Sequence, residues 1–96
     1  MMENNSYIEF WQKWLGLSEW SINKNQVVYD DDVPNEDRYF VGVQIDNKNK
    51  SATIYHDRKL NHVYVLHELL HVKFPKLTEE QVNEKCDIIL NNVSQL

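Results

Sequence analysis

Five consecutive residues, His67, Glu68, Leu69, Leu70 and His71, form a His-Glu-x-x-His pattern, the most specific chemical signal in the chain. On a helix, the four-residue spacing places both imidazoles on one face, close enough to bind a single zinc ion. Glu68 then lies where it can accept a proton from water at the metal. A pattern this short can arise by chance, but it predicts a zinc-dependent hydrolase if its surroundings can support a metal site.

The residues around the pattern favour such a site. Residues 60–73 contain neither Gly nor Pro and read as one helix, which Pro75 ends. Apolar residues occupy nearly all sides of this helix, which predicts that it is central and buried. Zinc-binding histidines require a dry and rigid setting, because water competes for the metal and a mobile helix would not hold two nitrogens at bonding distance.

A catalytic zinc site needs a third protein ligand and an open position for water. The next helix is predicted to start after Thr78, a favourable N-cap, and to bury a stripe that begins at Val82. On a helical wheel Glu79 lies about 60° from Val82, whereas Glu80 and Glu84 lie at about 160° and about 200°. The wheel therefore favours Glu79 as the third zinc ligand, and Glu80 and Glu84 remain alternatives.

The His67 to His71 pattern, followed by a short loop and a helix that opens with Glu79, resembles the gluzincin group of zinc metallopeptidases. In that group a glutamate from a downstream helix completes a site of two histidines and one glutamate. The resemblance covers residues 60–90, and the chain length is similar to minimal one-domain gluzincins and to short peptidase-like proteins encoded by phages. It implies a zincin-like domain with one Zn²⁺ per chain and a peptide or protein substrate.

The resemblance also implies how a substrate would bind. An extended peptide is expected to pair its backbone with an edge strand formed by Ala52, Thr53, Ile54 and Tyr55. With zinc polarising the scissile carbonyl, Glu68 would accept a proton from water and pass it to the leaving amine. Tyr64, Tyr55 and His56 are all candidates for donating a hydrogen bond to the oxyanion, and the sequence does not choose between them.

The remaining elements predict an α+β fold within one domain, residues 1–96. An N-terminal helix over residues 6–15 carries an apolar arc and stops at Gly16. Residues 20–29 and 39–46 read as strands, and residues 51–56 return from a turn as the hairpin partner of the second strand. We therefore expect a small three-stranded, mainly antiparallel sheet, followed by the metal-binding helix and the glutamate helix.

Composition excludes several classes of function. The net charge of −5 offers no phosphate-binding surface, so nucleic acid is not expected as a partner. No apolar run is long enough to span a membrane, and the start of the chain lacks the features of a signal peptide, so a cytoplasmic protein is expected. The lone Cys86 lies on the apolar stripe of the last helix and is expected to be a buried small hydrophobe. Nothing in the sequence indicates the oligomeric state.

Other polar residues are predicted to lie outside the metal site. Asp30, Asp31 and Asp32 lack the spacing of a calcium-binding loop and read as a solvated connector. His62 lies about 140° round the helix from His67, too far to share its zinc. His56 ends the strand that leads into the metal-binding helix and is predicted to be a strand-end histidine, although it could reach the edge of the site.

Two other kinds of function fit the same residues. The domain could bind zinc yet act only as a protein-binding module, such as a phage-encoded regulator, because so small a chain offers little walled cleft for a substrate. Alternatively, His67 and His71 could be buried and satisfied by hydrogen bonds without any metal. That alternative requires strong compensation for three polar residues on a buried helix.

Overall fold

The computed structural model describes residues 4–93, with side chains from residue 6 onward, so both ends of the predicted domain lie outside the described residues. The elements follow the predicted order. They are helix α1 (Asn4–Trp14), strands β1 (Ser21–Gln26), β2 (Val41–Asp46) and β3 (Ser51–His56), and helices α2 (His62–Lys73) and α3 (Glu79–Asn92), with a short 3-10 helix at Asn35–Asp37. None of the described helices is long and apolar enough to cross a membrane.

Helix α1 ends where the sequence predicts. Gly16 adopts a φ of +72°, and the two amides that follow the helix bond back to carbonyls of its last turn, Gly16 N to Lys13 O at 3.2 Å and Leu17 N to Gln12 O at 2.7 Å. This is the Schellman arrangement, in which a glycine takes the left-handed conformation without steric cost. It turns the chain towards β1.

The sheet is mixed, with strand order β1-β3-β2. β2 and β3 form the predicted antiparallel hairpin, with Val43 opposite Ile54. β1 pairs with the other side of β3 in parallel, with Ser21 opposite Ser51. The expectation of a mainly antiparallel sheet is therefore wrong, because one of its two pairings is parallel. β1 is also shorter than the predicted strand over residues 20–29.

The parallel pairing places β3 in the centre of the sheet. Both of its edges are hydrogen-bonded, one to β1 and the other to β2. Along β3 the burial alternates, so that Ala52, Ile54 and His56 are buried against the helices and the residues between them face the other side. Hence β3 organises the core and has no free edge.

Helix α2 is the central element of the helical layer. It packs against α1, α3 and the sheet, as its apolar composition predicts. Asn61 caps its N-terminus by accepting a hydrogen bond from Tyr64 N at 3.0 Å. The buried hydrophobic core consists of Ile8, Trp11, Leu15, Leu17, Ala52, Ile54, Leu60, Val65, Leu66, Leu69, Leu70, Val72, Val82 and Cys86.

Helix α3 begins at Glu79, after an N-cap that fixes its first turn. Thr78 Oγ1 accepts from Gln81 N at 3.2 Å, and Gln81 Oε1 accepts from Thr78 N at 2.9 Å. This reciprocal pair is a capping box, which satisfies two amides that a helix start would otherwise leave unbonded. The buried side of α3 starts at Val82 and continues at Cys86, as predicted.

Candidate metal centre

Two imidazole nitrogens from α2 and one carboxylate from α3 meet at a single point. His67 Nε2 and His71 Nε2 lie 3.3 Å apart. The Glu79 carboxylate contacts both, with Oε1 at 2.6 Å from His71 Nε2 and Oε2 at 3.1 Å from His67 Nε2. Among the described residues this is the group of three potential ligand atoms, all within 4.8 Å of one another, that could hold a metal ion.

The spacing of the two imidazole nitrogens fits a tetrahedral zinc ion. Two nitrogens at zinc bonding distance, separated by the tetrahedral angle, lie about 3.3 Å apart, which matches the distance between His67 Nε2 and His71 Nε2. Without a metal, Glu79 could accept hydrogen bonds from both imidazoles if each carried its hydrogen on Nε2, but neither Nε2 could then accept from the other. Two imidazole nitrogens and a carboxylate oxygen are also ligand types that zinc binds in proteins.

Local folding explains why these three residues meet. His67 and His71 are one helical turn apart on α2, and each is only partly buried, with side chains 18% and 19% exposed. Glu79 occupies the first position of α3, immediately after its capping box, and its side chain is 71% exposed. Because α2 and α3 pack together through their apolar faces, the start of α3 is brought to the histidine face of α2. Glu80 and Glu84 are exposed and do not join the group.

Glu68 lies next to the three donors but does not join them. It is 6% exposed, so its carboxyl group is largely out of water. Burial raises the pKa of Glu68 to about 7, and the negative charge of Glu79 contributes in the same direction. An acid with a pKa in this range can both accept and release a proton near neutrality.

An open cleft of about 320 Å³ borders the donors. Its walls are α2, the first residue of α3, Pro75, and strand β2 through Val41, Gly42, Val43 and Ile45. Gly42 has no side chain, so it lines the cleft with backbone atoms. Among the described residues no strand pairs with the outer edge of β2, which leaves that edge available beside the donors.

The structure contradicts the predicted role of β3 as the substrate-binding edge. Ala52, Thr53, Ile54 and Tyr55 belong to the central strand, whose backbone groups are already paired on both sides, and Ala52 and Ile54 are buried in the core. The sequence predicts a hairpin but not which of its strands a third strand will join. Composition offered one signal. Charged residues are typical of edge strands, and β2 contains Asp46, whereas β3 contains no Asp, Glu, Lys or Arg.

Of the three candidate oxyanion donors, only Tyr64 lies beside the site. It lines a second recess of about 350 Å³ together with His67, Glu68 and Tyr39. Tyr55 lies on the sheet face opposite the helices, where its hydroxyl donates to Gln44 Oε1 at 3.1 Å. His56 is buried with Nδ1 2.7 Å from the Arg58 carbonyl oxygen, and it lines neither recess.

The remaining polar residues behave as the sequence predicts. His62 packs against α1, where its Nδ1 accepts a hydrogen bond from Trp11 Nε1 at 2.9 Å, and burial lowers its pKa. Cys86 is buried, which raises the pKa of its thiol to about 11. Asp30, Asp31 and Asp32 are exposed, as expected of a solvated connector.

One polar cluster beside the second recess was not predicted. The Asp57 carboxylate accepts from Tyr29 Oη at 2.7 Å, from Phe40 N at 2.9 Å and from Arg58 Nε at 2.6 Å. Arg58 in turn stacks over the ring of Tyr39, 4.1 Å from its centroid. These bonds hold the pKa of Asp57 well below its usual range, chiefly through Arg58. They also tie the long connection between β1 and β2 to the end of β3.

The chain matches no protein-family model, no curated protein and no solved structure. The function must therefore be inferred from the residues and geometry of the site itself.

Proposed function

We propose that the protein is a zinc-dependent metallopeptidase whose metal is bound by His67, His71 and Glu79. The observation that carries the proposal is the convergence of three ligand atoms within 4.8 Å of one another, next to a buried acid and an open cleft. Two histidines and one carboxylate leave one position of a tetrahedral zinc ion open, as catalysis requires. Zinc bound there would act as a Lewis acid that polarises a carbonyl group and makes water more acidic.

Glu68 is the proposed general base. Its low exposure and raised pKa favour proton transfer in both directions near neutral pH. It would accept a proton from the attacking water and deliver it to the nitrogen of the leaving amine as the peptide bond breaks. We expect Tyr64, which borders the same space, to donate a hydrogen bond to the oxygen of the scissile carbonyl.

We propose the outer edge of β2 as the binding site for the substrate backbone. This edge is unpaired among the described residues and lines the cleft beside His67 and His71. An extended peptide that pairs with a strand edge satisfies its own backbone groups, and pairing of this kind accepts many sequences because it does not depend on side chains. The proposed substrate is therefore an extended or unfolded polypeptide segment.

A second candidate function is a zinc-binding interaction module without catalysis. The openness of the site favours this alternative, because the Glu79 side chain is 71% exposed and only β2 walls the cleft on the side away from the helices. Enzymes generally enclose the reacting groups more fully so that water is excluded.

Substitution of Glu68 by Gln separates the two functions. The substitution keeps the size of the side chain and the three proposed ligands, so the variant should retain about one zinc per chain while hydrolysis of a peptide library falls at least about 100-fold. Zinc content would be measured by elemental analysis and cleavage by mass spectrometry. Glu84→Gln, an exposed acid on α3, is the matched control and should change neither quantity.

Two results would count against the peptidase. If wild-type protein loaded with zinc cleaves none of a diverse peptide library, the interaction module is the better proposal. If the protein binds no zinc, or if His67→Ala and His71→Ala bind it as well as wild type, the proposed metal centre itself is wrong.

A further inference from the structure

A second surface, distinct from the metal centre, has the features of a docking site. The end of α1, the connection between α2 and α3, and the outer side of α3 enclose two adjoining recesses of about 360 and 290 Å³ that share Lys73 and Phe74. We call this surface the lysine-rimmed groove. Its principal residues are Trp14, Phe74, Leu77 and Ile88, with Lys73 and Lys85 at the rim.

The floor of the groove exposes large apolar side chains to water. Trp14 is 50% exposed and Ile88 is 61% exposed, although both have apolar neighbours in the groove. No described residue covers them. Exposed apolar side chains gathered in a concave surface are typical of sites that another molecule covers, because burial would remove this area from water.

The charge of the groove is opposite to that of the whole protein. Every polar residue that lines it is a lysine, namely Lys73, Lys76 and Lys85, although the chain has a net charge of −5. Within residues 4–93 none of these lysines forms an ion pair with a carboxylate, and Lys85 Nζ instead lies over the Phe74 ring, 5.0 Å from its centroid. The groove thus offers unpaired cations around an apolar floor.

The elements around the groove determine how a ligand would be recognised. Its walls are helices and their connection, so no described strand offers a backbone edge there. Recognition must therefore depend on side chains, and an amphipathic helix is the common structure that presents an apolar stripe with charged flanks. Carboxylates on those flanks would complement Lys73, Lys76 and Lys85.

We propose that the lysine-rimmed groove binds an acidic amphipathic helix of a partner protein. A membrane surface fits the same side chains less well, because the groove is concave and a protein of net charge −5 is repelled by anionic lipid. Pro75 lines both the groove and the cleft of the metal centre, so a partner in the groove would lie next to that cleft. The proposal does not depend on zinc or on catalysis.

A pair of labelled peptides tests the charge complementarity. The first, about 15 residues long, places Leu and Phe on one helical face and Glu on its flanks, and the second replaces every Glu by Lys. Fluorescence anisotropy with the full chain should show saturable binding of the Glu peptide, at least about tenfold tighter than that of the Lys peptide, and this preference should weaken as salt is added.

Variants locate the binding surface. The double substitution Lys73→Glu with Lys85→Glu should abolish the preference for the Glu peptide, whereas Lys24→Glu with Lys48→Glu, an equal change of net charge at exposed lysines outside the groove, should preserve it. Ile88→Gln should weaken binding at least about fivefold, and Val28→Gln, at an exposed residue outside the groove, should leave it unchanged. Circular dichroism would check that each variant is folded.

Four results would overturn the proposal. The first two are the absence of saturable binding of the Glu peptide and equal binding of both peptides. The third is binding to phosphatidylserine vesicles that is tighter than binding of the Glu peptide and is lost in Ile88→Gln. The fourth is self-association in sedimentation that is lost in Ile88→Gln. The last two would assign the groove to a membrane or to a second copy of the chain. Because the groove variants leave His67, His71 and Glu79 intact, zinc binding reports separately on the metal centre.

Discussion

At the scale of residues, the candidate metal centre combines two side chains from one helix with one side chain from another. His67 and His71 are held at one spacing by α2 itself, whose buried residues fix it between the sheet and two helices. Glu79 is placed by the packing of α3 and by a single turn of helix, and its side chain is largely in water. The histidines therefore form a rigid pair, and the carboxylate is the candidate ligand with more freedom to move.

Substitution of the candidate third ligand tests this arrangement. Glu79→Gln should weaken zinc binding about 10- to 100-fold, because a neutral amide is a poorer ligand than a carboxylate and the two histidines remain. Glu80→Gln and Glu84→Gln remove the same charge from the same helix without touching the donors, so their zinc affinity should stay close to that of wild type. Chelator competition would measure all three. Release of zinc by Glu80→Gln alone would mean that α3 starts in another register.

The buried Glu68 carboxyl predicts a pH dependence in metal-free protein. Its pKa is raised from 4.5 to about 7, so the folded state holds a proton that the unfolded state releases, and stability falls as pH rises through this window. Glu68→Gln removes the titration, so in the presence of chelator it should be more stable than wild type at about pH 8, by up to about 3 kcal/mol, and similar at about pH 5. Urea unfolding at both pH values would measure the difference. If the difference in stability between Glu68→Gln and wild type were the same at both pH values, the raised pKa of Glu68 would be contradicted.

At the scale of elements, the start of α3 is fixed by the capping box, and the position of Glu79 follows from it. Thr78 satisfies the Gln81 amide, and Gln81 satisfies the Thr78 amide in return. Because Glu79 lies between them, a helix that began one residue later would turn its carboxylate away from the histidines by about 100°. The cap therefore also determines where the candidate third ligand lies.

Thr78→Ala tests that consequence. Loss of the cap should lower the free energy of unfolding by about 1 kcal/mol and should also weaken zinc binding, because the first turn of α3 would fray. Ser18→Ala, at an exposed serine outside the site, is the control and should change neither. Chemical unfolding and chelator competition would be measured on both variants. A loss of stability with unchanged zinc affinity would show that the cap does not position Glu79.

The elements also show which interactions the sequence encodes locally. Gly16, Thr78 and the turn before β3 mark element ends through short-range chemistry, so these boundaries could be predicted. The wheel that relates Glu79 to Val82 is equally local. The position of β1 beside β3 is not encoded locally, because that pairing joins residues 30 apart, such as Ser21 and Ser51. The error about the substrate edge followed directly from this long-range pairing.

The Asp57 cluster was missed for a similar reason. Tyr29, Phe40 and Arg58 contact one carboxylate from three separate parts of the chain, and no spacing in the sequence connects them. A carboxylate followed by an arginine is a common pair of neighbours at a protein surface. In the folded chain, however, the Asp57 and Arg58 pair joins the connection between β1 and β2 to the residues that border the second recess.

At the scale of the whole molecule, zinc should contribute to stability as well as to chemistry. Its proposed ligands come from α2 and α3, so binding would link two helices that pack on the same core. With free zinc at about 100 times its Kd, the folded state should gain about 2.7 kcal/mol, which raises Tm by about 10 °C or more in a domain of this size. Thermal unfolding with and without zinc would test this. His71→Ala should show no such rise, and an equal rise in that variant would indicate binding elsewhere.

The central position of β3 also dictates the order in which the sheet can form. β1 and β2 do not pair with each other, so the described part of the chain before Ser51, residues 4–50, contains two strands and no partner for either. During synthesis, neither strand can pair until Ser51–His56 has been made. β1 can then pair with β3 only by closing a long loop. A fragment that ends before Ser51 should therefore acquire no sheet. Until the hairpin closes, the backbone groups of β2 have no partner strand and can pair with another molecule.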